Sequence, residues 1–190
     1  MKRLVKIILK GLILLIFTAG IKVLYAGEEG NLSIKYYKIP NHGELGLAVP
    51  KEWKSSVRQP PDELPPTITF SPATGNAFEL LITALWSPRK DLEFNNPREI
   101  KDFSESEAQN LASSSVEGTF TLKEIKGEKA VGYCYSFTDK NPKPGEYKNM
   151  TQGAIGVGDL LLTFTFLVNS KDSAEEKAAL DMLKKAKQRK

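Results

Sequence analysis

A single histidine and a single cysteine bound the chemistry open to this chain of 190 residues. His42 stands in Pro40-Asn41-His42-Gly43, and Cys134 in Val131-Gly132-Tyr133-Cys134-Tyr135-Ser136-Phe137. Imidazole is the side chain best suited to acid–base and metal work near neutral pH. His42, however, is flanked by turn formers, and no second His or Cys stands at ligand spacing, so it reads as a surface-turn residue. A nucleophilic thiol needs a lowered pKa and usually an exposed end of an element. Cys134 lies mid-strand between two tyrosines and reads as a buried, apolar thiol. Being alone, it cannot close an intramolecular disulfide.

The remaining motifs fail on their companions. Ser87-Pro88-Arg89-Lys90 matches the Ser-x-x-Lys pattern of penicillin-recognising enzymes, yet no Ser-Asp-Asn or Lys-Thr-Gly triplet accompanies it and the segment reads as a strand exit. No Gly-x-Ser-x-Gly elbow exists. The stretch Asp139 to Glu146 has the outline of a calcium loop, but Lys143 and Pro144 occupy positions that need an oxygen ligand and a glycine. Gly153, Gly156 and Gly158 lead into a strand, whereas a phosphate loop must open a helix; glycines so placed mark close packing or a bulge. No catalytic residue set, cofactor site or metal site emerges, and no cofactor is expected. Glu79, Asp139 and Glu146 are carboxylates that a loop-built pocket would use, but sequence alone does not position them.

Strands are the elements that must position any site. Residues 45–49, 67–70, 78–86, 119–125, 131–138, 150–157 and 160–168 are rich in β-branched and aromatic residues, several alternating with period two. Residues 34–39 add a candidate edge strand. In the last strand Leu160, Leu162, Phe164, Phe166 and Val168 share one face while Leu161, Thr163, Thr165 and Leu167 share the other, which suits a strand covered on both sides. Two helices are available as covers. The first spans about Pro97 to Ser115, with a capping-box pattern at Ser104-Glu105-Ser106-Glu107, and is read as one helix or as two broken at Phe103. The second starts at Asp172 or Ser173, carries Ala179, Met182, Leu183 and Ala186 on one stripe, and ends in Lys184, Lys185, Lys187, Arg189 and Lys190. Short turns such as Lys126-Gly127-Glu128 and Gly158-Asp159 force antiparallel neighbours. Longer excursions at 54–66, 87–102 and 140–149 are where a function would be grafted.

The N-terminus carries the compartment signal. Met1-Lys2-Arg3-Leu4-Val5-Lys6 precedes an apolar stretch from Gly11 to Ala19 and a small residue, Ala26, at a plausible cut. Lys10 and Lys22 leave the apolar run short of the roughly 20 residues of a membrane span. Residues 1–26 are therefore expected to be a secretory signal peptide, with an uncleaved inner-membrane anchor as the alternative, and residues 27–190 a single domain. The whole chain has 27 basic and 23 acidic side chains. Five basic groups and no acid lie in the leader, so 22 basic face 23 acidic beyond it and the net charge there is −1. Nucleic acid is disfavoured as a partner by that balance and by export. Basic groups fill five of the last seven positions, which offers membrane headgroups a contact but also suits the dipole of a frayed helix end. Gln59 to Pro66 reads as a stiff proline-rich connector.

Several local patterns converge on a known family. Pro50-Lys51-Glu52-Trp53 after an early strand, Phe137-Thr138-Asp139 turning into a loop, Thr151-Gln152-Gly153 in a strand, and an amphipathic helix after Phe164-Thr165-Phe166 resemble the PsbP-like superfamily. That superfamily includes Mog-type Ran-binding proteins and DcrB-like bacterial envelope proteins, and the resemblance spans about Leu45 to Leu183. It implies an α+β domain with a largely antiparallel sheet of about 6–8 strands sandwiched between helices. It also implies a non-catalytic interaction protein, with no functional residue to transfer position by position. The resulting expectation is a secreted or periplasmic binding or accessory protein of the cell envelope, with another envelope protein as partner. The alternative is a small-ligand carrier or an enzyme with a loop-built pocket.

Overall fold

Two nine-residue strands, largely alternating between buried and half-buried side chains, lie at the centre of the larger sheet. In the computed structural model, which describes residues 31–62, 64–87, 94–128 and 130–190, β5 (Phe78–Trp86) and β9 (Leu160–Val168) pair antiparallel along their whole length, from Phe78–Val168 to Trp86–Leu160. The expected signal peptide, residues 1–26, lies outside the described residues. Hairpins build outward from this pair. On one side come β8 (Asn149–Val157), β7 (Val131–Thr138) and the short β6 (Lys123–Lys126); on the other come β4 (Thr67–Pro72) and β3 (Trp53–Arg58). The sheet runs β3-β4-β5-β9-β8-β7-β6, and every neighbour is antiparallel.

A second, three-stranded sheet consists of β1 (Leu32–Ile39), β2 (Gly43–Pro50) and β10 (Lys187–Arg189), in the order β1-β2-β10. Two helices complete the described residues: α1 (Pro97–Ala112) and α2 (Ala174–Lys184). The apolar face of the seven-stranded sheet, with Phe70, Leu80, Ile82, Phe164 and Phe166, is buried against Leu45, Leu47 and Val49 of β2 and Ala179, Met182 and Leu183 of α2. One continuous core results. Burying a side chain of that size is worth about 1.5–3 kcal/mol, so this layer dominates the stability of the fold.

Several expectations are corrected by these elements. The cover of the apolar face is a second sheet plus a helix, not helices alone, so the seven-stranded sheet matches the expected size but the strand total among the described residues is ten. Residues 119–122 are not strand; Phe120 and Leu122 instead pack on the cluster around Tyr135 and Phe137. The first helix runs unbroken through Phe103, and its N-cap is Asn96, whose side chain accepts from the Arg98 and Glu99 amides at 2.9 and 3.0 Å. Pro97 at the next position donates nothing and costs nothing there. Ser104 is therefore a mid-helix residue, and it is buried.

The basic chain end also differs from a frayed helix. Ser173 caps α2 as expected, its hydroxyl accepting from the Glu176 amide at 3.1 Å. After Lys185, the chain turns into β10, which pairs with Glu44–Gly46 of β2. Gly43, at φ +75°, admits the Arg189 carbonyl where a Cβ would collide with it.

Candidate functional site

The second face of the seven-stranded sheet is covered only in part. α1 lies across β7 and β8, where Ile100 meets Ala154 and Leu161, and Ala108 meets Tyr135 and Phe137. Beyond it, the outward faces of β4, β5 and β9 form an open trough of ≈ 340 Å³. The expectation that Thr163 and Thr165 sit beneath a cover is thereby corrected: both are half-buried in this trough.

Register orders the lining into two rows across the strands. The first passes from Arg58 through Thr67 and Thr83 to Thr163. The second passes from Thr69 through Leu81 and Thr165 to Gln152, and its next register position is Tyr135 under α1. Thr67 and Thr83 share a hydrogen bond at 2.9 Å between their hydroxyls. Among the described residues, the side chains of Thr69, Thr163, Thr165 and Gln152 have no hydrogen-bond partner in the protein. Threonine is favoured here by its β-branch, which suits the pleated surface, and leaves a hydroxyl available to a ligand. Arg58 supplies the one charged group of the lining among the described residues.

His42 stands elsewhere, at the β1–β2 turn. Its ring stacks on Trp86 at 4.8 Å between centroids, and Nδ1 lies 3.6 Å from Asp159 Oδ2. That carboxylate is shared: Lys190 Nζ is 2.9 Å away, and Gln188 donates to Asp159 and to the His42 carbonyl. Burial alone would raise the Asp159 carboxyl, but Lys190, Gln188 and the nearby His42 outweigh it and hold the carboxyl below its usual range. The group fastens β10 to the β8–β9 hairpin. Cys134 faces the main core, far from solvent, and burial pushes its thiol up to about 11, which suits the inert reading.

The other candidates take structural posts. Asp139 Oδ1 accepts from the Asn141 amide at 2.8 Å and Glu146 from the Lys143 amide at 3.0 Å, so each carboxylate is used by its own turn. Glu79 lies on the open sheet face, one row beyond the trough, opposite Leu167. Ser87 follows β5, while residues 88–90 of its motif lie outside the described residues, as does Glu63 of the proline-rich connector. Gly153 and Gly156 mark close packing: a Cβ at the first would strike the Tyr133 carbonyl, and at the second would sit 2.9 Å from the Asn95 carbonyl. Gly158 turns the β8–β9 hairpin at φ +65°, against Gln188. Most of the basic end is engaged: Arg189 lies over the Tyr36 ring at 4.8 Å and pairs with Glu44 at 3.0 Å, and Lys187 pairs with Glu128 at 3.4 Å.

Glu117 is the most strongly shifted carboxyl. It accepts from Thr138 through both backbone and hydroxyl, at 2.9 and 2.8 Å, and pairs with Lys171 at 2.8 Å. Burial opposes ionisation, but those hydrogen bonds prevail and bring the carboxyl down to about 2. They tie the segment after α1 to the end of β7. The threonine rows were missed in sequence, although their signal was present: Thr67, Thr69, Thr83, Thr163 and Thr165 all fall on the non-core alternation of their strands.

The fold and site define an α+β protein with two stacked antiparallel sheets and one partly open face. No protein-family model matches the chain, and no curated protein does. A crystal structure from Bacteroides thetaiotaomicron VPI-5482 is similar, with a TM-score of 0.50 and 16% identity over 77% of this chain. The match spans 45% of that protein, less than half its length, and at this identity it shows a shared fold alone. No helix among the described residues is long and apolar enough to cross a membrane.

Proposed function

We propose that the chain is an exported, non-catalytic binding protein of the cell envelope, and that the open face of the seven-stranded sheet is its binding surface. The observation that carries this reading is the trough, an open concavity lined by two rows in which half-buried threonines and Gln152 predominate, several without a hydrogen-bond partner among the described residues. Binding modules present shallow exposed patches, whereas enzymes gather groups of displaced pKa in deep clefts. Here the shifted carboxyls of Glu117, Asp159 and Asp181 are each spent on fastening one element to another or on helix-surface pairs. Export rests on the leader pattern of residues 1–26, and a place among PsbP-like interaction proteins rests on the resemblance from Leu45 to Leu183.

A second reading, carriage of a small ligand, draws support from the trough volume, which falls at the lower end of the range typical of small-molecule sites. Both readings place the occupant on the same residues, so one experiment serves. The full chain is immobilised and exposed to an envelope extract from its native cells, beside a Thr83→Lys/Thr163→Lys variant that fills the trough. The expected result is one dominant captured component that the variant no longer retains. Equal capture by both proteins contradicts the assignment.

A further inference from the structure

The spacing and sign of the polar groups in the trough say what kind of ligand fits it. Hydrogen-bonding side chains follow one another from strand to strand, and strand spacing sets their repeat at about 4.8 Å. An extended peptide repeats its side chains on one face about every 6.8 Å, and it adds to a sheet through the backbone of an edge strand, not across a face. A chain of linked sugar rings has a repeat on the scale of one ring, close to one strand, and offers hydroxyls along its length. Leu81, in the middle of the second row, gives the C–H face of a ring an apolar contact.

Both ends of the rows add to this match. At the outer end stands Arg58, exposed and without an ion-pair partner among the described residues, with Lys54 four residues earlier on the same face. Among the described residues, no carboxylate lines the trough. At the inner end the second row reaches Tyr135, which is 0% exposed and whose hydroxyl has no hydrogen-bond partner among the described residues. The hydroxyl of Ser104 on α1, 1% exposed, has none either. Ser104 lies one turn from both Ile100 and Ala108 on the buried side of the helix. Partnerless buried hydroxyls are costly and call for an explanation. That of Tyr135 continues the second row beneath the helix.

We infer that the ligand is an acidic polysaccharide lying across the strands, its anionic group on Arg58 and its ring hydroxyls on the threonine rows. This rests on the reading of the open face as the binding surface. Carboxylate and sulfate share the required chemistry, and the guanidinium accepts either. The rows deliver specificity through several neutral hydrogen bonds, while Arg58 makes binding sensitive to salt.

Calorimetric titration of the full chain with polygalacturonate, heparin and dextran tests the assignment. At least one anionic polymer is expected to bind about tenfold or more tightly than dextran, and less tightly as salt is raised. Arg58→Gln is expected to weaken that binding about tenfold, and Thr83→Val/Thr163→Val about fivefold or more. Lys101→Gln, a cation on the exposed side of α1, is expected to leave it unchanged, with thermal melting confirming that each variant folds. The carboxylated and sulfated arms show which anion is preferred. Equal binding of dextran, or an equal loss in Lys101→Gln, overturns the inference, as does absence of binding to all three polymers. In that last case, capture of an envelope protein that Thr83→Lys/Thr163→Lys abolishes keeps the binding surface and replaces the ligand. Capture that survives the block removes the surface itself.

Discussion

The same chemical change is expected to have opposite effects at two buried tyrosines. Tyr135 on β7 is fully buried, the largest such side chain among the described residues, and its hydroxyl has no hydrogen-bond partner among them. Burial, and then the negative charge of Glu107, raise its pKa, so the phenol is neutral at all ordinary pH. Removing an unsatisfied buried hydroxyl recovers a desolvation penalty of about 1–3 kcal/mol, offset by the small void the oxygen leaves. Tyr135→Phe is therefore expected to stabilise the fold by about 1 kcal/mol, a rise of about 2–4 °C in Tm for a domain of this size. Tyr37 on β1 is also buried, but its hydroxyl donates to Ser55 Oγ at 3.1 Å and so joins the small sheet to β3. Tyr37→Phe is expected to cost about 1 kcal/mol. Urea unfolding of both variants at pH 7 measures the pair, with unchanged m-values securing the comparison. A destabilised Tyr135→Phe would refute the reasoning, since it would mean that the hydroxyl has a partner worth more than its burial.

Three further outcomes follow from particular contacts. Glu117→Gln is expected to cost about 1–2 kcal/mol at pH 7, a figure reduced because its side chain is 30% exposed. The folded carboxyl titrates near 2 against an ordinary value of 4.5, so its contribution is complete above 4.5 and vanishes as pH falls toward 2; the gap between the proteins should close over that window. A gap that is constant from pH 7 to pH 2 in urea titrations would contradict the assignment. Cys134 is expected to react with a thiol reagent only at the rate of global opening, and labelling of the native protein as fast as in urea would show that it is not buried. Gly153→Ala is expected to cost at least about 2 kcal/mol, because its Cβ meets the Tyr133 carbonyl and Cys134, and a wild-type midpoint in urea would count against the close β7–β8 approach.

Alternation made the centre of the fold legible and its margins opaque. β5, β7 and β9 carry period-two patterns strong enough to fix their ends to the residue, because both faces of each strand meet defined environments. The sequence Trp53-Lys54-Ser55-Ser56-Val57-Arg58 holds one buried side chain and becomes strand only through pairing with β4, which no local signal announces. Lys187-Gln188-Arg189 reads as a helix tail; Gln188, bonded to His42 and Asp159, makes it an edge strand. Pro97 is legible as the start of the first helix and is its first residue, whereas the capping-box pattern at Ser104 lies within the helix and caps nothing. The candidate site was half legible in the same sense. Thr163 and Thr165 could be assigned to a shared face, but the sideways position of α1 over β7 and β8, which leaves that face open, is a tertiary fact.

The open face is tested most directly by placing a photoreactive side chain at Thr83 in the full chain, with Lys101 on the exposed side of α1 as the comparison, and irradiating the native cells. One dominant adduct from Thr83, and little from Lys101, is the predicted result. Comparable, heterogeneous adducts from both positions would contradict the assignment of that face as the binding surface.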